Sequence, residues 1–161
     1  MKKLKIFALF LALFLISAQK DSNICKKGLK IHREALVIDG HCDVPMILSQ
    51  GVDISKKRDE GDFDLIRMEE GGLDVSLFAI FTPNSEDEKE PLKKSLKVLS
   101  SLFEFLEKNK NRVVQVKSSE DILNLKNKKG IMISMENASP IEEISHLKIF
   151  YKLGVRVKGL T

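Results

Sequence analysis

Aromatic residues make up only 6% of the 161 residues, with one tyrosine and no tryptophan, and there are two cysteines, four prolines and three histidines. The aromatic shortage bears on partners. Lysine pairs such as Lys56 and Lys57, or Lys128 and Lys129, alternate with acids, and no ring interleaves with them as a base-stacking platform, which excludes nucleic-acid binding. Two cysteines make no disulfide framework, and the sequence leaves open whether Cys25 and Cys42 pair. No uncharged run reaches the roughly 20 apolar residues of a spanning helix. Internal repeats and low-complexity tracts are also absent, and 43% hydrophobic with 31% charged residues is an ordinary globular balance.

The chain opens with MKKLKIFALFLALFLISAQ, in which Lys2, Lys3 and Lys5 precede an uncharged run from Ile6 to Ala18, closed by the small residues Ser17 and Ala18. This is the layout of a secretory signal over residues 1–18, so the protein is expected to be exported and residues 19–161 to form one domain. Removing those three lysines takes the 27 basic residues to 24 against 23 acidic ones. The basic balance therefore resides in the leader. Ile24 stands directly before Cys25, where a lipidation signal wants a small residue, and this argues against a lipid anchor.

Ile24 to Leu36 reads as a short helix that leads into a strand from Val37 to Asp43, stopped by Pro45. Residues 51–63 read as a polar loop, and Asp64 to Glu70 as a short helix closed by Gly71 and Gly72. VSLFAIF, Val75 to Phe81, is a continuous apolar run, the mark of a strand covered on both faces. An acidic loop from Thr82 to Glu90 precedes a helix from Pro91 to about Asn109, with Leu92, Leu96, Leu99, Phe103 and Leu106 on its core face. Val113 to Val116 is a short extended piece, and Ser119 caps a helical turn through Leu125. GIMISM, Gly130 to Met135, is a third buried strand that ends at Glu136. Ser139, Pro140 and Glu142 suggest a capping box for a helix that turns Ile141, Ile144, Leu147 and Tyr151 inward and stops at Gly154. VRVKGL, Val155 to Leu160, is the fourth strand. Strands that alternate with helices and are themselves near-continuously apolar call for an α/β fold with a parallel sheet and helices packed outside it.

In VIDGHCD, residues 37–43, strand alternation puts His41 and Asp43 on one face and turns Cys42 to the other, so the cysteine is a spacer. Imidazole and carboxylate converging at the carboxyl end of a parallel strand suit zinc, and Glu136 ends another strand at the same side of the sheet, where such folds gather their sites. A histidine merely paired to an aspartate, and a glutamate that caps the following helix, are the competing structural explanations. His32 and His146 lie away from strand ends and read as solvated. Arg67 and Arg156 read as partners of nearby acids, and Arg156 alternatively as support for the sheet interior.

VIDGHCDVP, DLIRMEEGGLDVSLFAIF, GIMISMENASPI and LGVRVKGLT, in this order, resemble the membrane dipeptidase family of zinc peptidases, peptidase family M19, from about Glu34 to Thr161. The resemblance implies a parallel (β/α)8 TIM-type barrel, here its first four β/α units, holding two zinc ions in the full-length family. It matches His41 and Asp43 to the first-strand ligands and Glu136 to the carboxylate that bridges both metals. It also implies hydrolysis of dipeptides by a metal-bridging hydroxide, and it leaves membrane association and homodimerisation as expectations. Asn137 departs from the glycine that many relatives carry after the bridging glutamate. Further zinc histidines, a substrate histidine, an arginine and an acidic residue follow in the family beyond a Leu-Thr pair like Leu160 and Thr161. The 161 residues are thus expected to be the amino-terminal half of a dipeptidase, a fragment or a truncated product, with no catalytic residue beyond the metal ligands. The alternatives are an exported, inactive remnant or interaction protein on the same scaffold, and a different metal hydrolase; Asp43, in place of the second histidine of a His-x-His pair, speaks against the latter.

Overall fold

The computed structural model describes residues 23–82 and 90–159. The expected signal segment and most of the expected acidic loop lie outside the described residues, as do Leu160 and Thr161. The chain divides into two units, Met1–Leu36 and Val37–Thr161. In the first, residues 23–34 form helix α1, as the sequence suggests, with Lys30 Nζ 3.9 Å from Glu34 one turn on. No helix among the described residues is long and apolar enough to cross a membrane. Cys25 and Cys42 are both free thiols.

The second unit is built on a five-stranded parallel sheet. Its strands are β1 (Ile38–Cys42), β2 (Val75–Ile80), β3 (Val113–Val116), β4 (Lys129–Met135) and β5 (Val155–Lys158). β4 is the hub. It pairs with β2 along Gly130–Met135 on one side; on the other, β3 takes its first half, Lys129 to Met132, and β5 takes its second half, Ile133 to Met135. β1 pairs with β2. The short extended piece at Val113 is therefore a true sheet strand, too brief for sequence periodicity to separate from a loop but given ladder partners by β4.

The two central strands are nearly buried throughout, which is why VSLFAI and GIMISM lack polar alternation. Phe78, Ile80, Ile131, Ile133 and Met135 point to the layer of helices, where they meet Leu65, Met68, Val98, Leu99, Leu102 and Phe105. A smaller cluster of Val75, Val116 and Leu125 lies apart, with Met132, Val114 and Ile122 packed on it.

Helix α2 (Val44–Leu48) follows β1 directly, and Pro45 sits in its first turn rather than only stopping the strand. Helix α3 (Leu65–Glu70) is capped by Asp64, which is fully buried and accepts from the backbone N–H of Arg67 (2.8 Å) and of Arg58 (3.1 Å) and from the Arg67 guanidinium. Burial pushes the Asp64 carboxyl up, and these hydrogen bonds outweigh it and hold the pKa below the usual carboxylate value.

Helix α4 (Pro91–Lys108) turns Ser95, Val98, Leu99, Leu102 and Phe105 into the core. This rotates the expected face: Leu96 is exposed, and Leu92, Phe103 and Leu106 are only flanking. Two apolar stripes at spacings of three and four run side by side on this helix, and contact with β2, β3 and α2 selects one of them. Helix α5 (Ser119–Leu123) starts one residue earlier than expected, with a capping box between Ser118 and Asp121.

Helix α6 (Ile144–Leu153) departs furthest from expectation. It begins after Glu143, not at Pro140, because the Ser139 hydroxyl is engaged with Thr82 and Asn137 instead of capping a helix. Only Phe150 is buried; Ile144, Leu147 and Tyr151 are exposed. Leu147 and Tyr151 line an apolar groove of about 560 Å³ with Met135, Ile141, Val155 and Val157 along β5. Gly154 ends the helix at φ 101°, as the sequence indicated. His146 is not a free surface histidine: its Nδ1 accepts from the Glu142 N–H (3.3 Å) and its Nε2 lies 3.6 Å from Glu143. Among the described residues Arg156 pairs with no acid; it donates to the carbonyls of Lys117, Tyr151 and Val155 and stacks 4.2 Å from the Tyr151 ring.

Candidate metal centre

The site forms at the carboxyl ends of β1 and β4, across the end of β2. Between Asp39 and Cys42, β1 advances three residues while its partner β2 advances two, from Ser76 to Phe78. One extra residue is accommodated at Gly40 and His41, a bulge. Without it, alternation would send His41 to the side of Asp39, whose carboxylate accepts from Ser76 Oγ (2.9 Å). With it, Cys42 returns to the core side beside Phe78, where burial raises its thiol pKa, and His41 takes the opposite side. Bulges next to sites serve to re-aim a side chain in this way. The Asp39 carboxylate also accepts from the His41 N–H at 3.2 Å, which fixes the bulged backbone.

Asp43 is outside the strand, at the N-terminal cap of α2 with φ −83° and ψ 4°, and its carboxylate makes no capping bond. It is free to reach His41, and His41 Nε2 lies 3.2 Å from Asp43 Oδ1. Glu136 follows the last residue of β4. Its N–H donates to Ile80 O at 3.1 Å, so the ladder with β2 carries one bond past the strand end, and its Oε2 lies 3.8 Å from His41 Nε2. One ligand atom from each of His41, Asp43 and Glu136 lies within 4.8 Å of the others, and all three residues are exposed.

Two carboxylates and an imidazole thus face one point from two strand ends. Among the described residues, no lysine or arginine pairs with Asp43 or Glu136. Uncompensated like charges at this separation repel, and a divalent cation with nitrogen and oxygen preference suits the donor set. The competing explanation of Glu136 as a helix cap is not realised, since α6 begins eight residues later at Ile144.

The three candidate ligands named from the sequence lie together, and the contacts that hold their backbone were not visible there. Gly159, the residue after β5, donates its N–H to Met135 O (2.8 Å), and a Cβ built there would meet Glu136 O at 2.2 Å. Only glycine allows that approach. Behind Glu136, Asn137 and Thr82 are buried and bonded to one another, a pairing across 55 residues that no local pattern announces.

A parallel α/β sheet with a histidine and two carboxylates that could hold a metal ion at its strand ends is the arrangement of the hydrolase-barrel class. The chain matches the membrane dipeptidase family, peptidase family M19, over residues 26–161, and belongs to it. Comparison with curated proteins gives no match. Among solved structures, the fold is similar to that of the probable dipeptidase PvdM from Pseudomonas aeruginosa, with TM-score 0.76 and 24% identity over 87% of this chain and 38% of that one. It is likewise similar to the dipeptidase AC, a metallopeptidase of family M19, with TM-score 0.69 and 24% identity over 76% of this chain and 41% of that one. A third is a metallopeptidase from Rhodobacter sphaeroides liganded with a phosphinate mimic of the dipeptide L-Ala-D-Ala, with TM-score 0.69 and 21% identity over 76% of this chain and 44% of that one. The chain therefore spans about two fifths of the length of these structures, and its sheet corresponds to part of their barrels.

Proposed function

We propose that this chain carries the zinc ligands of the first half of an exported dipeptidase, and that His41, Asp43 and Glu136 are those ligands. The observation that carries the reading is the convergence of the three side chains within 4.8 Å at two strand ends, in a chain of a metallopeptidase family. His41 would offer Nε2, Asp43 Oδ1 and Glu136 Oε2, and by the family resemblance Glu136 would be the ligand shared between two zinc ions. Zinc held there supplies Lewis acidity, lowering the pKa of a water and polarising a carbonyl oxygen. The Asp39 carboxylate keeps the His41 backbone in its bulge.

Dipeptides are the proposed substrates, in keeping with the dipeptide mimic bound to the Rhodobacter structure. An eight-stranded barrel takes about 250 residues. Residues 19–161 are accordingly proposed as its amino-terminal half, with the remaining ligands supplied by strands outside this sequence. The apolar groove along β5 and α6 supports that proposal, because a following β/α unit would cover Leu147, Tyr151 and Val157. Export follows from the signal layout, and membrane association and a homodimer are family expectations. A second reading, an inactive scaffold, is favoured by one observation: among the described residues three candidate ligands converge.

The test is calorimetric titration of the purified protein with zinc, alongside hydrolysis of L-Ala-D-Ala. Zinc binding that is lost in His41→Ala supports the ligand assignment, and wild-type protein that binds no zinc refutes it. Dipeptide turnover by these 161 residues alone would refute the inactive-scaffold reading.

A further inference from the structure

Among the described residues the exposed Glu136 carboxylate has one side-chain partner, His41 at 3.8 Å, so its backbone must define its position. Alternation past β4 puts Glu136 on the side of the site and Asn137 on the side of the helices. Asn137 is 5% exposed and Thr82, two residues past β2, is 1% exposed. The Asn137 side chain grips Thr82 twice: its Nδ2 donates to the Thr82 carbonyl, and its Oδ1 accepts from Thr82 Oγ1 at 3.1 Å. The same Oδ1 accepts from the N–H of Ser139 at 3.2 Å and from Ser139 Oγ at 2.7 Å. Ser139 Oγ and Thr82 Oγ1 are 2.8 Å apart, so the two hydroxyls share their protons between each other and the Asn137 oxygen.

Three of these contacts join the exit of β2 to the turn that follows Glu136, and the two between Ser139 and Asn137 brace that turn. Buried amides require partners, and a fully partnered network fixes a single arrangement. An amide is also the one group of this size that can donate to a carbonyl with one atom and accept from a hydroxyl with the other. An aspartate in its place would set a carboxylate oxygen against the Thr82 carbonyl.

Resting on the zinc-site reading above, we propose that Asn137 and Thr82 form a clamp that positions Glu136 for metal: they are positioning residues, touching no ligand themselves and setting where β4 delivers its carboxylate. Partners behind metal ligands are worth about 10- to 100-fold in affinity. The clamp is therefore expected to carry at least a tenfold share of zinc affinity without contributing a ligand atom.

The test compares wild type with Asn137→Asp, Thr82→Val and Thr82→Ser by zinc titration, by the visible spectrum of the cobalt-substituted protein, and by hydrogen exchange at the Glu136 amide in metal-free protein. Thr82→Val removes the hydroxyl at constant volume, and Thr82→Ser restores it. The expected result is at least tenfold weaker zinc binding and an altered cobalt spectrum in Asn137→Asp and Thr82→Val, recovery in Thr82→Ser, and faster Glu136 exchange in the first two. Folded variants that bind zinc and exchange like wild type overturn the clamp. Should Asn137→Asp fail to fold, the Thr82 pair decides by the same criteria. If wild type itself binds no zinc, the proposed function fails, and Glu136 exchange decides the clamp: unchanged exchange overturns it.

Discussion

Two groups of carboxylates in this protein have opposite surroundings. Asp64 has no exposed surface, and the Arg58 and Arg67 backbone amides and the Arg67 guanidinium surround it with donors. Asp43 and Glu136 are exposed, and among the described residues they have no donor from the backbone and share a single histidine. Asp64 uses its hydrogen-bonding capacity to hold α3 against the loop from Arg58 to Phe63. The other two keep theirs spare. Spare, pre-aimed acceptors bind a ligand, whereas saturated ones hold a fold.

The sharpest way to break this contrast is Asp64→Ala. It leaves two amides and a guanidinium without their acceptor and is expected to lower the unfolding free energy by about 3 kcal/mol, read from urea denaturation. Gly159→Ala comes next. Its Cβ would sit 2.2 Å from Glu136 O, so β5 or the Glu136 turn must move; a loss of about 1–3 kcal/mol and weaker zinc binding are expected together. His41→Ala reverses the pattern: zinc binding is lost while stability stays within about 0.5 kcal/mol, as for an exposed side chain without buried partners. A loss of several kcal/mol there would mean that the trio holds the fold and is not spare.

Acid titration sharpens the same comparison at smaller amplitude. Since the folded pKa of Asp64 lies below its unfolded value of about 3.9, its contribution is fully present above that value and is lost as pH falls through the folded pKa. The urea midpoint of wild type should therefore drop below about pH 4, and Asp64→Asn should flatten that limb. Glu136→Gln is expected to have the smallest effect on stability. It relieves repulsion with Asp43, and metal-free protein should become marginally more stable, by less than about 0.5 kcal/mol, even as zinc affinity falls.

Long apolar stretches were legible locally. VSLFAI and GIMISM are nearly buried strands, and Asp64 and Gly154 mark helix ends, because each rests on a pattern within a few residues. Faces of helices were less legible. Two stripes compete on α4, and on α6 the apolar face looks towards the open groove along β5, so burial there depends on what packs alongside. His41 and Asp43 were paired by counting along a regular strand. They do come together, by another route: a bulge turns His41 and the start of a helix carries Asp43.

By itself, then, the sequence determined the parallel α/β class and the strands at the centre of the sheet, both carried by residue type and short-range spacing, and it pointed to His41, Asp43 and Glu136 as candidate ligands. Tertiary structure alone decided the bulge at Gly40, the close approach of Gly159 to Glu136 and the grip of Asn137 on Thr82. Each of these depends on which strand lies beside which, and strand pairing joins residues tens of positions apart that no local periodicity links.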